Sequence, residues 1–408
     1  MIHNSANELQ GIKAMPLLHS KSHYLKLYKD TLLENIIPFW MRHGIDLKNG
    51  GIFTCLDRDG SLVDDDKSVW FQGRAGWMFA TLYNEVEMRQ DWLEISQSCV
   101  NFIEKHCIDT DGRLYFHVTA DGQPIRKRRY VYSEAFASIA HAVLYRATGD
   151  ENHKKRAVEL FQVYLDWSFL PGIMPPKFAP TRPMIGLAPR MIAIATAQEL
   201  RKNMITTEYD HLIDQMIHEI ELKFMHPDLE AVLEQVSPEG KFVNHADGRI
   251  LNPGHALECA WFILEESRVR GGVPRYTDIG LKITDWMWRW GWDEQHGGII
   301  YFRDVLNRPV QEYWHDMKFW WPQNEAIIAT LMAWSMTGHA KYAEWHYTAS
   351  DWAFRHFADP EFGEWYGYLH RDGRVSQPCK GTLWKGPFHL PRMLLKCWQI
   401  LDSDKHLN

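Results

Sequence analysis

Several signals that assign a protein to a class are missing from this 408-residue chain. Its six cysteines form no CxxC pair, and a chain of this length needs no disulfide framework, so the sequence predicts a reducing, cytoplasmic setting. No stretch approaches about eighteen uninterrupted apolar residues, and the first residues lack a charged segment followed by an apolar core. We therefore expect neither a membrane span nor export.

Nucleotide and metal motifs are also missing. The chain has no GxxxxGK[ST] and no GxGxxG, so a conventional phosphate-binding loop is not expected, and it has no HExxH to hold zinc. Its 45 basic and 52 acidic residues give a formal net charge of −7. Because the basic residues are scattered, apart from RKRR at 126–129, the sequence argues against a nucleic-acid partner. Since it also lacks a zinc motif, we predict no metal site.

Aromatic residues are abundant, with 19 Trp, 16 Tyr and 19 Phe. Tryptophans that stand beside polar groups, as in FWWP at 319–322, suit a site that stacks on sugar rings. Many of these residues also suit an ordinary core. The aromatic content alone is therefore a weak signal for a sugar-binding site.

A loose motif of Gly, an aromatic residue and a polar turn recurs along the chain. It begins at Gly50, Gly112, Gly298 and Gly363, with a degenerate copy at Gly240. The copies are about 60 residues apart except for one gap of about two periods, which predicts a sixth, degenerate copy near residue 176. Six such units account for nearly the whole chain, and no Gly/Ser linker divides it. We expect a single domain over 1–408.

Each unit contains two segments with apolar residues near the 3.6 spacing of a helix. The twelve segments are 22–43, 68–89, 91–106, 132–148, 151–167, 186–202, 207–224, 254–270, 276–290, 322–337, 340–357 and 390–402. The Gly motifs between them, with Asp-Gly turns, predict short β-hairpins. Six helical pairs can stack as an open solenoid or close into a ring. We favour closure, which makes the fold all-α, a six-hairpin (α/α)6 toroid with short β-hairpins at one rim around a cavity.

The segment NPGHALE predicts a helix start that carries functional side chains. Asn252 is a good N-cap and Pro253 suits the first helical position, so His255 and Glu258 follow on one face, one turn apart. Both side chains can therefore reach one ligand.

Three other segments place polar groups at helix starts in the same way. WWPQNEA carries Glu325 in a first turn, KGPFHLPR carries His389 just before a helix, and SVWFQGRAGWMFA holds Arg74 between tryptophans. Helix starts favour negative charge, so several of them around one cavity, with an arginine, would stabilise an enolate. His255 and His389 would then serve as proton donor and acceptor near neutral pH. The pattern favours proton removal beside a carbonyl.

Other chemistries use fewer of these residues. An inverting glycosidase would use Glu258 and Glu325 as its two carboxylates, but the histidines would have no role. His255 and Glu258 supply only two ligands for zinc. His255 and Cys259 stand one turn apart as a nucleophile and base would, although a cysteine in the apolar run ALECAWF is more typical of a core.

Longer segments of the chain resemble one known family. They are NPGHALE with the following WF, HDMKFWWPQNEAIIA (315–329), GEWYGYLHRDG (363–373) with KGPFHLPR (385–392), and GGIFTCLDRDG with VWFQGRAGWM (69–78). In this order, over about 20–402, they are similar to the N-acylglucosamine 2-epimerase family, whose animal members are also called renin-binding protein.

The resemblance implies an (α/α)6 toroid that interconverts N-acetylglucosamine and N-acetylmannosamine through an enediolate after ring opening. It implies that His255 and His389 work on opposite faces of carbon 2 and that Arg74 binds the enediolate oxygen. It also implies that Glu258 and Glu325 hold and tune the histidines. Three residues are assigned to the sugar pocket: Asn252, Trp321 and Trp384.

The resemblance further implies no consumed cofactor, ATP or another nucleotide as an activator, and a homodimer formed through outer helices. Two motifs depart from the animal pattern. KGTLWKGPFH stands for KGGPFKGCFH, so Trp384 and Pro387 replace a phenylalanine and a cysteine, and WPQNEA stands for WPHSEA. WKGPFH is closer to the WKxPYH of cellobiose 2-epimerases. The alternatives are therefore an epimerase or aldose-ketose isomerase of unacylated sugars such as cellobiose or mannose, and a non-catalytic renin-binding-like protein.

Overall fold

The computed structural model describes residues 20–404, which are mostly helical. The helices are α1 Lys21–Asp30, α2 Ile37–His43, α3 Val69–Glu85, α4 Gln90–His106, α5 Tyr132–Thr148, α6 Glu151–Phe169, α7 Ala188–Met204, α8 Asp210–Lys223, α9 Ala246–Arg249, α10 Pro253–Val269, α11 Pro274–Gly291, α12 Trp320–Thr337, α13 Ala340–Phe357 and α14 His389–Ser403. A π-helical turn, Thr31–Ile36, joins α1 to α2, and a 3₁₀ turn spans Pro227–Leu229. All twelve predicted helices are present, and α1 and α2 together form the first of them.

The helices form two concentric rings. The inner ring is α3, α5, α7, α10, α12 and α14; each of these packs against an outer helix, and successive inner helices contact one another from α3 to α14. The difference follows from the sequence, because a helix that is apolar all round needs partners on every side. In α12, for example, every residue from Trp320 to Trp334 is buried, whereas the outer helix α11 buries only one side.

Short strands lie where each outer helix is followed by an inner one. They are β1 Cys55–Leu56, β2 Leu62–Asp64, β3 Lys67–Ser68, β4 His117–Val118, β5 Pro124–Arg126, β6 Ile185–Gly186, β7 Met225–His226, β8 Ala231–Val232, β9 Gln235–Val236, β10 Ile250–Leu251, β11 Arg303–Asp304, β12 Lys318–Phe319, β13 Tyr368–Leu369 and β14 Val375–Gln377. Several pairs join neighbouring units, including β3 with β4, β6 with β9, β10 with β11 and β12 with β13. The hairpins therefore hold the units together at one rim, as predicted.

The repeated glycines have a conformational reason. All five, Gly50, Gly112, Gly240, Gly298 and Gly363, have φ between +75° and +84°, which an L side chain rarely adopts. The expected sixth copy has no hairpin, because residues 170–184 form a proline-rich loop without helix or strand. That loop contributes to the mouth of the central cavity.

Buried ion pairs recur in three of the hairpin units. Lys67 lies 2.6 Å from Asp46, Lys318 lies 3.0 Å from Asp293, and Lys380 lies 2.9 Å from Asp359, and both side chains of each pair are almost fully buried. The lysine precedes an inner helix in the first two pairs. In these two units the ion pair therefore connects the rim to the start of the inner helix.

Contacts between the two ends of the chain close the ring. Tyr28 in α1 hydrogen bonds to Ser350 in α13 at 2.6 Å, and Arg58 pairs with Asp359 at 2.8 Å. Helix α1 also packs on α14. These contacts confirm the closed toroid rather than the solenoid. Among the helices of residues 20–404, none combines the length and the apolar character that crossing a membrane requires.

Candidate active site

A cavity of about 1520 Å³ lies inside the inner ring, near the start of the inner helices. Six of the eight predicted site residues line it, namely Arg74, His255, Glu258, Trp321, Trp384 and His389. Because the hairpins all precede inner helices, the first turns of those helices converge here. Their N–H groups and dipoles make the region favourable for negative charge.

His255 is positioned by its helix start and by a carboxylate from another segment. The Asn252 side-chain oxygen accepts a hydrogen bond from the backbone N–H of His255 at 3.2 Å, which caps α10. The Nδ1 atom of His255 lies 3.1 Å from both carboxylate oxygens of Glu234. A carboxylate only accepts, so Nδ1 carries the proton and Nε2 is left for a substrate.

His389 is the first residue of α14, and a different carboxylate orients it. Its Nδ1 lies 2.7 Å from Oε1 of Glu325, whose other oxygen accepts from the indole N–H of Trp261 at 2.8 Å. Glu325 is fully buried, and among residues 20–404 it is not one of those that line the cavity. It therefore acts on the cavity through His389.

Arg392, one turn into α14, joins the two glutamates. Its Nη2 lies 2.6 Å from Oε1 of Glu258 and 2.7 Å from Oε1 of Glu325. The same atom is 3.3 Å from Nδ1 of His389. The guanidinium thus places a buried positive charge between the carboxylates and beside one imidazole only.

The indole of Trp321 contacts both imidazoles. Its ring centroid lies 5.1 Å from that of His255 and 5.8 Å from that of His389, with interplanar angles of 35° and 39°. The two imidazoles therefore lie no further apart than the sum of these distances. They share one cavity and can face a single bound monosaccharide.

Arg74 lies in a cage of aromatic rings at the side of this pair. Its guanidinium carbon is 4.1 Å from the ring centroid of Phe136, 4.9 Å from that of Phe388 and 5.6 Å from that of Trp70. Its Nε atom is buried and has no hydrogen-bond partner within residues 20–404. Burial lowers the pKa of Arg74, but a guanidinium keeps its proton at neutral pH, so the cavity has a cation with donors to spare.

The surroundings shift the pKa values of the two histidines in opposite directions. Burial by itself lowers the pKa of His255, but the adjacent carboxylate of Glu234, followed by those of Glu258 and Glu325, raises it above the ordinary value. Burial and then the positive charges of Arg392 and Arg74 hold the pKa of His389 well below its usual range. One imidazole is thus set to hold a proton and the other to accept one.

Comparison with known proteins identifies the family. The family model for N-acylglucosamine 2-epimerase (GlcNAc 2-epimerase) matches residues 51–389. The chain is 36% identical over 380 residues to N-acylglucosamine 2-epimerase of Mus musculus, which covers 91% of this chain and 90% of the mouse protein. The chain belongs to the N-acylglucosamine 2-epimerase family. It is therefore an enzyme of the epimerase class.

Cellobiose 2-epimerases are more distant. The one from Bacteroides fragilis is 23% identical over 389 residues, covering 90% of this chain and 96% of its own length. A solved structure of cellobiose 2-epimerase from Bacillus thermoamylovorans superposes with a TM-score of 0.81 at 20% identity, covering 93% of this chain and 99% of that chain. The structural likeness supports the (α/α)6 barrel.

Two predicted residues of this epimerase site make other contacts. Asn252, which was predicted to contact the sugar, is buried and, among residues 20–404, is not one of those that line the cavity. It caps α10 instead, and its amide nitrogen lies 3.1 Å from Nδ1 of His255. Glu258 bonds to Arg392, while Nδ1 of His255 lies beside Glu234; the charge of Glu258 still raises the pKa of His255.

Trp384 lies at the mouth of the cavity, with 39% of its surface exposed. It packs on Trp70 and Phe116, with ring centroids 5.7 and 5.3 Å apart. Arg128 lies 4.5 Å over its ring, so part of the basic run 126–129 joins the cavity wall rather than the solvated surface alone. The placement suits a ring that covers the outer part of a bound sugar.

Two functional residues escaped the sequence analysis. Glu234 lies in a loop between β8 and β9 that carries no motif. Arg392 is the last residue of the segment KGPFHLPR, in which only His389 was predicted to be functional. Arg392 lies three residues after His389, a spacing that puts two side chains on one helix face. That spacing was the available signal, whereas nothing near Glu234 in the sequence indicates its partner.

The carboxylate geometry decides against an inverting glycosidase. One carboxylate oxygen each of Glu258 and Glu325 and one ring nitrogen of His389 lie within 4.8 Å of one another. The two carboxyl groups of an inverting glycosidase are roughly 6.5–9.5 Å apart. Arg392 already contacts all three groups, so its guanidinium occupies the position that a cation would take. Cys259 is fully buried with a raised pKa, as expected of a core cysteine.

Proposed function

We propose that this protein interconverts N-acetylglucosamine and N-acetylmannosamine by moving a proton at carbon 2. One observation carries the proposal: two imidazoles from distant segments meet around Trp321 in one cavity, with opposite shifts of pKa. The family membership and the name of the mouse relative support the acylated hexosamine as substrate.

The proton transfer follows from this arrangement. Ring opening exposes the aldehyde, whose oxygen points to the free donors of Arg74. One imidazole, through Nε2, removes the hydrogen at carbon 2, and the electron pair of that C–H bond moves into an enolate, with the acetamido group on carbon 2, whose oxygen Arg74 stabilises. The other imidazole, in its protonated form, then gives its proton to the opposite face of carbon 2. The substrate thus keeps its atoms and changes only its configuration.

The roles of the buried carboxylates follow as well. Glu234 and Glu325 each accept from the Nδ1–H of one histidine, so both imidazoles present Nε2 to the sugar. Glu258 pairs with Arg392 and keeps that guanidinium directed toward His389. Such partners hold an imidazole in one tautomer and one orientation, which is what proton transfer at a defined carbon requires.

A second candidate function is the same reaction on an unacylated sugar such as cellobiose. The observation that favours it is Trp384 at the mouth of a cavity of about 1520 Å³, which leaves room beyond a monosaccharide. The greater identity to the mouse epimerase than to the cellobiose epimerase of Bacteroides fragilis favours the acylated substrate. Turnover of N-acetylglucosamine, N-acetylmannosamine, mannose, glucose and cellobiose, measured side by side, separates the two.

Exchange of hydrogen with heavy water tests the mechanism. N-acetylmannosamine incubated in D₂O is expected to give N-acetylglucosamine that carries deuterium at carbon 2, and a product without deuterium would contradict the proposal. His255→Ala and His389→Ala should each abolish epimerisation, yet each retains one base. Each variant should then exchange deuterium into one epimer without inverting it, and the two variants should act on opposite epimers. Loss of activity in both variants would also dispose of the binding-only alternative.

Activation by ATP or another nucleotide, a homodimer and a cytoplasmic location complete the proposal. The same turnover assays with and without ATP test the first. Sedimentation of the purified protein at several concentrations tests the second. Fractionation of cells that express the protein tests the third.

A further inference from the structure

We propose that Glu234 is the positioning residue of His255: its carboxylate holds the imidazole in the tautomer and orientation that direct Nε2 to carbon 2 of the sugar. The inference rests on the proposed function and adds a residue to it. Glu234 belongs to no motif of the resemblance and comes from a loop, whereas both histidines and the other two glutamates of the site come from inner helices.

The backbone around Glu234 is held on both sides. Its N–H donates to the carbonyl of Ile250 at 3.3 Å, and its carbonyl accepts from the N–H of Leu187 at 3.0 Å. Ile250 begins β10, directly before the cap of α10, and Leu187 directly precedes α7. The loop is therefore tied to the starts of two inner helices. This fixes the distance from Glu234 to the first turn that carries His255.

Both oxygens of Glu234 lie 3.1 Å from one atom, Nδ1 of His255. The amide nitrogen of Asn252, 3.1 Å from the same Nδ1, is a donor and cannot bond to a protonated nitrogen, so Glu234 alone accepts that proton. Nδ1 is occupied in this way. Nε2 is then the only ring nitrogen available to a sugar.

The charge of Glu234 acts on His255 with little competition. Within residues 20–404, His255 is the only basic group in ion-pair contact with Glu234. The counterpart at the other imidazole differs, because Oε1 of Glu325 is shared between His389 and Arg392. A carboxylate that is not neutralised by a guanidinium favours the protonated imidazole, while a shared one does not.

Groups from every element around His255 contribute to its titration. Glu234 comes from the loop before β9, Glu258 from α10 and Glu325 from α12, and all three raise its pKa. From α14, His389 faces His255, whose positive charge lowers the pKa of His389. Burial opposes the three carboxylates. At a pH between these two pKa values His255 holds the proton and His389 does not, so His389 is the base and His255 the acid of the first transfer.

The first experiment compares Glu234→Gln, Glu234→Asp and Glu234→Ala, with Glu230→Gln as the matched control. Glu230 lies four residues earlier, is largely exposed and pairs with Arg289 on the surface. The measurement is kcat/KM against pH in both directions. Glutamine still accepts from Nδ1–H but lacks the charge, so the alkaline limb should move to lower pH. Because the equilibrium constant does not depend on the enzyme, the limb must move equally in both directions.

Glu234→Ala should lower kcat by about tenfold or more with little change in KM, because general-acid catalysis loses its orientation. Glu234→Asp should restore the alkaline limb. A double variant, Glu234→Ala with His255→Ala, should exchange deuterium at carbon 2 no more slowly than His255→Ala alone, since Glu234 acts through that imidazole. An alkaline limb that stays in place in Glu234→Gln, or additive losses in the double variant, would overturn the inference.

A second readout needs no turnover. In protein labelled with ¹³C at Cε1 of histidine, the resonance of His255 is identified by its absence from His255→Gln. Its titration should move to lower pH in Glu234→Gln and stay in place in Glu230→Gln. An unmoved titration would refute the coupling. If the wild-type protein exchanges no carbon-2 hydrogen while this shift is present, the proposed function fails and the Glu234–His255 coupling stands.

Discussion

Replacing Arg392 by leucine should destabilise the protein and reset His389. The Nη2 atom lies 2.6 and 2.7 Å from two buried carboxylates, and only 7% of the Arg392 surface is exposed. Without the cation, Glu258 and Glu325 face each other within 4.8 Å. At an effective dielectric constant near 20, two negative charges at that distance repel by about 3 kcal/mol. Breaking a buried ion pair on one side typically costs about 3–5 kcal/mol, which agrees.

The pH dependence gives this prediction its sign. In Arg392→Leu the pKa of Glu325 should rise further above its unfolded value, because burial already raises it and Arg392 opposes that rise. The folded state of the variant is then favoured at low pH, where this carboxyl group is protonated, and is destabilised as the pH rises. The loss in stability relative to the wild type should therefore be smaller at pH 5 than at pH 8. The pKa of His389 should also rise, because burial and then Arg392 are what lower it. The acid limb of kcat/KM should move to higher pH accordingly.

The assay is chemical denaturation at both pH values, with Lys396→Leu as the matched control. Lys396 lies one turn further along α14 and pairs with Glu265 at 3.2 Å in a more exposed setting, so its loss should cost about 1 kcal/mol or less. Arg392→Lys should recover part of the stability. An Arg392→Leu variant as stable as Lys396→Leu at both pH values would refute the reasoning, because the carboxylates would then need no buried cation.

Three further predictions follow from other contacts. Wild-type kcat/KM should follow a bell-shaped curve in pH. Its acid limb should lie below the ordinary range of histidine, because burial lowers the pKa of His389, and its alkaline limb above that range, because the pKa of His255 is raised. Two limbs that both fall in the ordinary range of histidine would contradict this assignment. Arg74→Lys should lower kcat by about 10² or more while leaving the denaturation midpoint close to the wild type, as kinetics and denaturation together will test. Lys67→Met leaves the buried carboxylate of Asp46, 2.6 Å from Lys67, without its cation. It should lower the free energy of unfolding by about 3 kcal/mol in denaturation experiments, with turnover per folded molecule retained.

The sequence by itself determined the local features of this protein. The 3.6 period placed all twelve helices of the two rings, and glycines at positive φ marked the turns of the rim, because both signals arise within a few residues of the backbone. The cap and proline of NPGHALE placed His255 in a first turn for the same reason. His389 likewise needed only its own helix start.

The tertiary structure alone decided which groups neutralise and orient one another. Arg392 meets Glu258 across 134 residues of chain, and Glu234 reaches His255 from a loop 21 residues earlier. A hydrogen bond depends on distance and direction in space, and helix spacing predicts neighbours only along one face of one helix. For that reason Glu258, one turn from His255, seemed its natural partner in the sequence, while the folded ring gave that carboxylate to an arginine and supplied another to the imidazole.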